Sequence, residues 1–436
     1  MPREILENKR KALKINLDDA IYGTFAEIGA GQEVARNFFT AGAASGTIAK
    51  TMSAYDMVFS NSIYGTEESG RYVSESRLDK MIQHEFELLS ERLNGPKYSG
   101  KTFFAFADTV TTLNFNKTND PHGWLGIRFQ LTPGGKPNDI VFHVRLLDSD
   151  SSLQQNVLGI LGVNLVYAAY FYHDNIQSMI ESLVDNLTVG SVEIDLISLS
   201  GPHFKNANNR LVNLYLIAKG FSGAAIFDKN GLARQSKDVL YKKDVMILRT
   251  KFGQKSTPNF DLFNRAVEQF KRTQKVSDKN IIVMIEVLMT NFLDDKSELG
   301  NAELENFAKR AEELCATGNY VIVSDFTRNH KLAQYLSRCS PKSVGISTNI
   351  ANLKNIFNSN NYTENYTDEL LAYISDLFSK NVKLYAYPYL DNKNNQIITT
   401  RNMPVSNEAK HLFEFLIQNG YILDIDEYDT KFVKTV

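Results

Sequence analysis

The feature that most constrains this chain is a rhythm in its second half, where apolar runs of strand length alternate with amphipathic helical stretches. The run 280–288, NIIVMIEVL, is almost continuously apolar, as a strand covered on both faces must be. Leu304, Phe307, Ala308, Ala311 and Leu314 then share one helical face, closed by Gly318-Asn319. Strands are expected at 320–324, 343–347, 382–387 and 397–400, with helices at 260–272, 350–357, 368–378 and 408–418. Such alternation builds α/β layers with parallel pairing.

The first half is less regular. A charged helix is expected within 3–20, and a helical pattern within 66–94 ends at Gly95-Pro96. The stretches 101–115, 124–131 and 139–147 read as consecutive strands, which suggests antiparallel neighbours and a mixed sheet. Helices at 177–186 and 210–219, strands at 191–199 and 224–227, and a strand or strand pair at 239–248 complete it. The expectation is an α/β fold of mixed, largely parallel sheets with helices on both faces. It is arranged as two closely packed lobes, 1–255 and 256–436, divided near 253–259.

Composition narrows the function. A net charge of -2 gives no basic field for nucleic acid or an anionic membrane. The only two cysteines, Cys315 and Cys339, suit a reducing cytosol and are too few for a thiolate zinc site. The first residues lack an apolar signal core. The most membrane-like run, 157–172, contains Asn164 and falls short of the ~20 residues a span needs, so it reads as a buried helix.

The stretch 22–56 offers a binding motif. A strand at 24–28 leads through Gly29-Ala30-Gly31 into a helix at 32–39, whose free N–H groups would face a bound phosphate. The third glycine of the dinucleotide fingerprint is absent, because Val34 stands there. Glu27, Gly29 and Gly31 also match the first motif of class I methyltransferases, which makes S-adenosylmethionine a candidate alongside nucleotides. The same turn also serves close helix packing alone.

Polar residues at the carboxyl ends of strands are the other candidates, since ligands of open α/β sheets bind there. Asp148 and Asp150 suit magnesium, or capping of the next helix. Ser200 and His203 follow the strand at 191–199, and Asp325, Arg328 and His330 follow the one at 320–324. The last three suit anion binding with proton transfer, or a solvated loop with a local ion pair. No phosphate loop, H-E-x-x-H or G-x-S-x-G is present, and the seven histidines form no spaced pair, so no metal site is expected.

The segments FAEIGAGQEVARNFFTAGAASGTIAKTMSAYDM and VRLLDSDSSLQQNVLGILGVNLVYAAY resemble a bacterial family whose members carry the labels nicotinate-nucleotide adenylyltransferase or TonB-dependent receptor. The resemblance continues through VEIDLISLSGPHF and AAIFDKNG to VLYKKDVMIL. It implies a cytosolic α/β protein and transfers no catalytic residue: His122 is followed by Gly123-Trp124, without the second histidine of an H-x-G-H pair.

These readings lead to a cytosolic nucleotide- or cofactor-binding protein, with transferase as the candidate activity, taking a small-molecule nucleotide and neither nucleic acid nor membrane. Glu27, Gly29, Gly31, Ser200 and His203 would hold the cofactor, and Asp148, Asp150, Asp325, Arg328 and His330 would act on it. The competing class is a homo-oligomeric scaffold, motivated by 20 Tyr and 27 Phe that can anchor interfaces.

Overall fold

The computed structural model describes residues 3–68, 70–251, 260–289, 300–362, 365–391, 395–428 and 433. The chain divides into two compact units, Met1–Ser222 and Gly223–Val436. Residues 253–259, where the sequence suggested the division, lie outside the described residues.

The first unit runs α1 (Asn8–Asn16), β1 (Ile21–Ile28), α2 (Glu33–Ala41), β2 (Ile48–Met52), α3 (Met57–Tyr64), α4 (Glu75–Arg92), β3 (Thr102–Thr111), β4 (His122–Phe129), β5 (Asn138–Leu146), α5 (Ser151–Phe171), α6 (Ile176–Leu183), β6 (Val192–Ser200) and α7 (Asn209–Ala218). Its sheet has the order β2-β1-β3-β4-β5-β6. The first three strands pair in parallel, and β3 to β6 form an antiparallel meander. The strands alternate inward faces. Phe25, Phe104, Phe106 and Phe129 meet Phe38 of α2 and Tyr170 of α5, whereas Phe103 and Ala105 pack under Phe86 and Leu89 of α4. The apolar run at 157–172 is α5, buried along most of its length. Among the described residues no helix is long and apolar enough to cross a membrane.

The edge strand β6 is closed by side chains. Asn213 accepts from Ile197 N and donates to Ile197 O, and Asn209 does the same for Leu199. Each amide supplies the donor and acceptor that a neighbouring strand would offer, which removes an exposed template for aggregation.

The second unit runs β7 (Ala224–Phe227), β8 (Ala233–Arg234), α8 (Ser236–Leu240), β9 (Asp244–Lys251), α9 (Phe260–Gln274), β10 (Ile281–Leu288), α10 (Asn301–Cys315), β11 (Tyr320–Ser324), α11 (Asn329–Arg338), β12 (Ser343–Asn349), α12 (Ile350–Ile356), α13 (Tyr366–Leu377), β13 (Val382–Tyr387), β14 (Tyr389–Asp391), β15 (Gln396–Ile398), α14 (Asn407–Gln418) and β16 (Ile422–Asp424). The main sheet has the order β16-β13-β12-β9-β10-β11-β7-β8 and is parallel except at β7 and β8, while β14 and β15 form a hairpin of their own. Val245, Ile247, Met284, Ile322, Val344, Ile346 and Leu384 face a core completed by α11, α12, α13 and α14. On the opposite face, Phe270 of α9 packs edge-on against Tyr385. This is the sheet with helices on both faces that the alternation implies.

Candidate functional site

The second sheet reverses its direction of growth at β9. The chain lays down β9, β10 and β11 outward on one side, then returns to the other side of β9 for β12 and β13. Such a reversal leaves a crevice beyond the carboxyl ends of the strands, because the flanking connections depart in opposite directions. A crevice of about 390 Å³ lies there, lined by Arg249 of β9, Leu288 of β10, Thr327, Arg328 and Asn329 after β11, Asn352, Asn355 and Ile356 of α12, and Asn361, Tyr362 and Tyr373.

Arg249 is fixed in place. Its Nε donates to Glu286 Oε2 at 2.5 Å, Nη1 donates to Asn329 Oδ1 at 2.6 Å, and Nη2 donates to the Phe326 carbonyl. Glu286 is fully buried and also accepts from Ser324 Oγ at 2.6 Å. This pair is internally neutral and holds three strand ends together. Arg328 differs: it is exposed, and among the described residues no ion pair involves it. It is also the N-cap of α11 and supplies no side-chain cap. The Tyr373 phenol is set against the backbone N–H groups of Asn329 and His330 at that helix end. Burial pushes its pKa up to about 12, against the opposing pull of Arg249 and those N–H groups. The crevice therefore joins an exposed cation, a helix N-terminus, four asparagine amides and two phenol rings.

Of the residues singled out at the end of β11, the structure brings Arg328 into this lining and leaves the other two outside it. His330 is buried on the first turn of α11, with its ring 4.3 Å from that of Tyr373. Burial, with Lys331 and Arg328 nearby, lowers its pKa to about 4, so it is neutral at physiological pH. The Asp325 N–H donates to the Gly223 carbonyl. The stretch 325–330 is thus a short connection into a helix.

The Gly29-Ala30-Gly31 turn does join β1 to α2, but the helix end is already occupied. Glu27 is buried and accepts from Val34 N and Ala35 N, both at 2.9 Å. A phosphate there would have to displace that carboxylate. Burial raises the Glu27 pKa to about 7, with the two N–H groups pulling it down. Asp108 lies directly across on β3 and is pushed well above its usual range by burial and by the neighbouring Glu27 charge. Gly29 has φ +102 and approaches the Val110 carbonyl so closely that a Cβ would stand 1.9 Å from it. Gly31, at φ +82, faces open space.

Asp150 is the N-cap of α5 and accepts from Ser152 N and Leu153 N, which hold its carboxyl below the usual range. The Asp148 carbonyl accepts from Gln154 Nε2. Ser200 lies 3.5 Å from Asp139 Oδ2 at the far end of β6. His203 meets His173 and Asp174, which come from a different connection.

Sequence reasoning missed Arg249, Asn352, Asn355, Tyr362 and Tyr373. Their signal was present in part: an arginine near the end of an apolar strand, and an Asn-rich stretch at 358–365 that reads only as a polar loop. Also unforeseen is a side-chain relay across three strands, buried at His143 and Asp195 and half-buried at His122. Asp195 Oδ1 lies 2.5 Å from His143 Nδ1, and His143 Nε2 lies 3.0 Å from His122 Nδ1.

No protein-family model matches the chain, and no curated protein matches it. Part of the chain is similar to solved structures of the competence/damage-inducible (CinA) superfamily. The competence/damage inducible protein from Agrobacterium tumefaciens is 15% identical, covering 38% of this chain and 98% of that one, at a TM-score of 0.28. A superfamily protein from Enterobacter cloacae is 12% identical, covering 39% and 95%, also at 0.28. One from Escherichia coli is 12% identical, covering 37% and 92%, at 0.26. These findings correct the resemblance drawn from the sequence: the family labelled nicotinate-nucleotide adenylyltransferase or TonB-dependent receptor is not what the chain matches, and no family is identified for the chain.

Proposed function

We propose that the protein binds a nucleotide or a closely related phosphorylated small molecule in the crevice beyond β9, β10 and β12. The observation that carries this reading is Arg328, exposed and in no ion pair among the described residues, at the N-terminus of α11 inside a crevice at a strand-order reversal. A phosphate is stabilised there by the guanidinium, beside a helix N-terminus whose first N–H groups face the Tyr373 phenol. Asn352, Asn355 and Asn361 offer donors and acceptors to a sugar or base, and Tyr362 and Tyr373 offer ring surface. The described lining holds no carboxylate or imidazole, so the arrangement suits binding and orientation more than proton transfer.

The test is a thermal-shift panel of ATP, GTP, NAD, nicotinate mononucleotide and S-adenosylmethionine, each with and without magnesium. A ligand at 100 times its Kd stabilises the native state by about 2.7 kcal/mol, a shift of roughly 2–4 °C for units of this size. The Arg328→Ala variant should keep the unliganded melting temperature, since its side chain is exposed, and lose the shift. No shift with any ligand, or an undiminished shift in Arg328→Ala, sinks the assignment.

A second reading, self-association, rests on α3. This short helix turns Ser60 and Tyr64 inward, while Met57, Val58 and Phe59 are 55%, 76% and 58% exposed beside Tyr55 at 76%. A run of large apolar side chains in water marks an interaction surface.

A further inference from the structure

Two histidines and an aspartate converge on the surface of the first unit from connections thirty residues apart in sequence. His173 and Asp174 lie between α5 and α6, and His203 lies between β6 and α7. Asp174 Oδ2 is 3.4 Å from His173 Nε2, and Oδ1 is 3.4 Å from His203 Nε2. One donor atom from each residue lies within 4.8 Å of the others. The two rings meet edge to face, 5.0 Å apart at 71°.

We propose that His173, Asp174 and His203 form a binding site for a divalent transition metal ion of the zinc class, with its remaining positions open to water. The donor set decides the class. Two neutral imidazoles and one carboxylate match zinc, cobalt, nickel or iron(II), whereas magnesium and calcium take oxygen donors. The expectation of magnesium at Asp148 and Asp150 has no such convergence behind it.

The site is anchored from below. The backbone N–H of His203 donates to Oδ1 of buried Asn138 at 2.8 Å. The next residue, Phe204, is buried against Phe129 and meets the His203 ring edge-on at 5.1 Å. His173 follows directly on the end of α5, itself embedded in the core. The two histidine side chains keep 22% and 29% of their surface, and Asp174 keeps 81%, so an ion and its waters have access from the carboxylate side.

Ligation has costs that set its strength. His203 Nε2 is 3.2 Å from the His173 carbonyl, and binding a metal through this nitrogen gives up that contact and moves the ring proton to Nδ1. His173 Nδ1 is buried without a hydrogen-bond partner among the described residues, so ligation through its Nε2 places a proton where no protein group accepts it. The metal bonds have to exceed both penalties, which makes this a weaker site than one with a complete outer shell.

The full chain, stripped with a chelator, is titrated with zinc by calorimetry and with cobalt(II) by visible absorption. The proposal expects one equivalent bound per chain and ligand-field bands from cobalt. His203→Ala and Asp174→Asn should each weaken zinc binding by about tenfold or more while far-UV circular dichroism stays the same. His411→Ala alters a histidine that is 94% exposed beside Glu414 and should change nothing. No saturable binding, or equal affinity in His203→Ala, overturns the site. A loss of affinity in His411→Ala moves the binding elsewhere and overturns it equally.

Discussion

Glu27 shows how one residue can carry the same letter in two different roles. In sequence it stands where an acid would hold a cofactor. In the fold it is an internal cap for α2, satisfying N–H groups that the helix cannot satisfy itself. Nothing in the spacing separates these readings, because both need an acid just before a glycine turn. Burial does separate them. Its folded pKa is raised from 4.5 to about 7, so the native chain holds a proton that the unfolded chain has already released across that interval. The native state binds more protons there, and stability must fall as pH rises from about 4.5 to about 7. Glu27→Gln cannot ionise and should flatten this part of the profile. Urea denaturation at both ends of the interval is expected to show a wild-type loss larger than that of the variant by roughly 1–3 kcal/mol. Equal losses would mean that the carboxyl is not the group that titrates.

At the scale of elements, most of the fold was legible and the exceptions have physical causes. The strands β10, β11 and β13 follow the apolar runs almost to the residue, because burial on both faces leaves continuous apolar sequence. The helix α11 was hidden behind its polar first turn, although Leu332, Ala333, Tyr335 and Leu336 carry helical spacing behind it. The strand β2, IAKTM, lies on an edge with half-buried residues, and its lysine and threonine obscure the strand signal. Residues 239–248 read as a strand or strand pair, yet α8 ends at Leu240 and β9 begins at Asp244. The crevice was less legible than the sheet, since its lining comes from six separate elements and connections. The glycine turn gives a direct contrast between geometry and ligand binding. Gly29→Ala forces a Cβ into the Val110 carbonyl at a positive φ, and should destabilise by at least 1–3 kcal/mol, an order-of-magnitude figure for strained backbone. Gly31→Ala meets only the positive φ and should cost about 1 kcal/mol. Denaturant melts of the two variants decide the point. A Gly31 substitution that costs as much as the one at Gly29 would show that the turn is held by something other than its approach to β3.

At the scale of the whole molecule, the question is whether one chain acts alone. Each unit carries its own sheet and its own buried core, so neither the aromatic content nor the chain length demands an assembly. Many of the Phe residues are interior, as Phe25, Phe104, Phe106, Phe129 and Phe270 illustrate. Aromatic abundance in the sequence therefore says little about interfaces. The exposed face of α3 says more, because Met57, Val58 and Phe59 are adjacent and point into water while Asp56 caps the helix beneath them. A second copy of the same helix is the simplest cover. A two-fold contact places each patch against its equivalent, so one segment suffices to close the dimer. The patch is small, and a standard interface takes about 800 Å² from each partner, so the association should be weak and reversible. Light scattering is expected to give a mass that rises above that of one 49.3 kDa chain as concentration increases. Val58→Asp should return it to that of a single chain without lowering the melting temperature, since this side chain has little native packing to lose. A strictly monomeric wild type at all concentrations would remove self-association and leave α3 as a surface for a different protein.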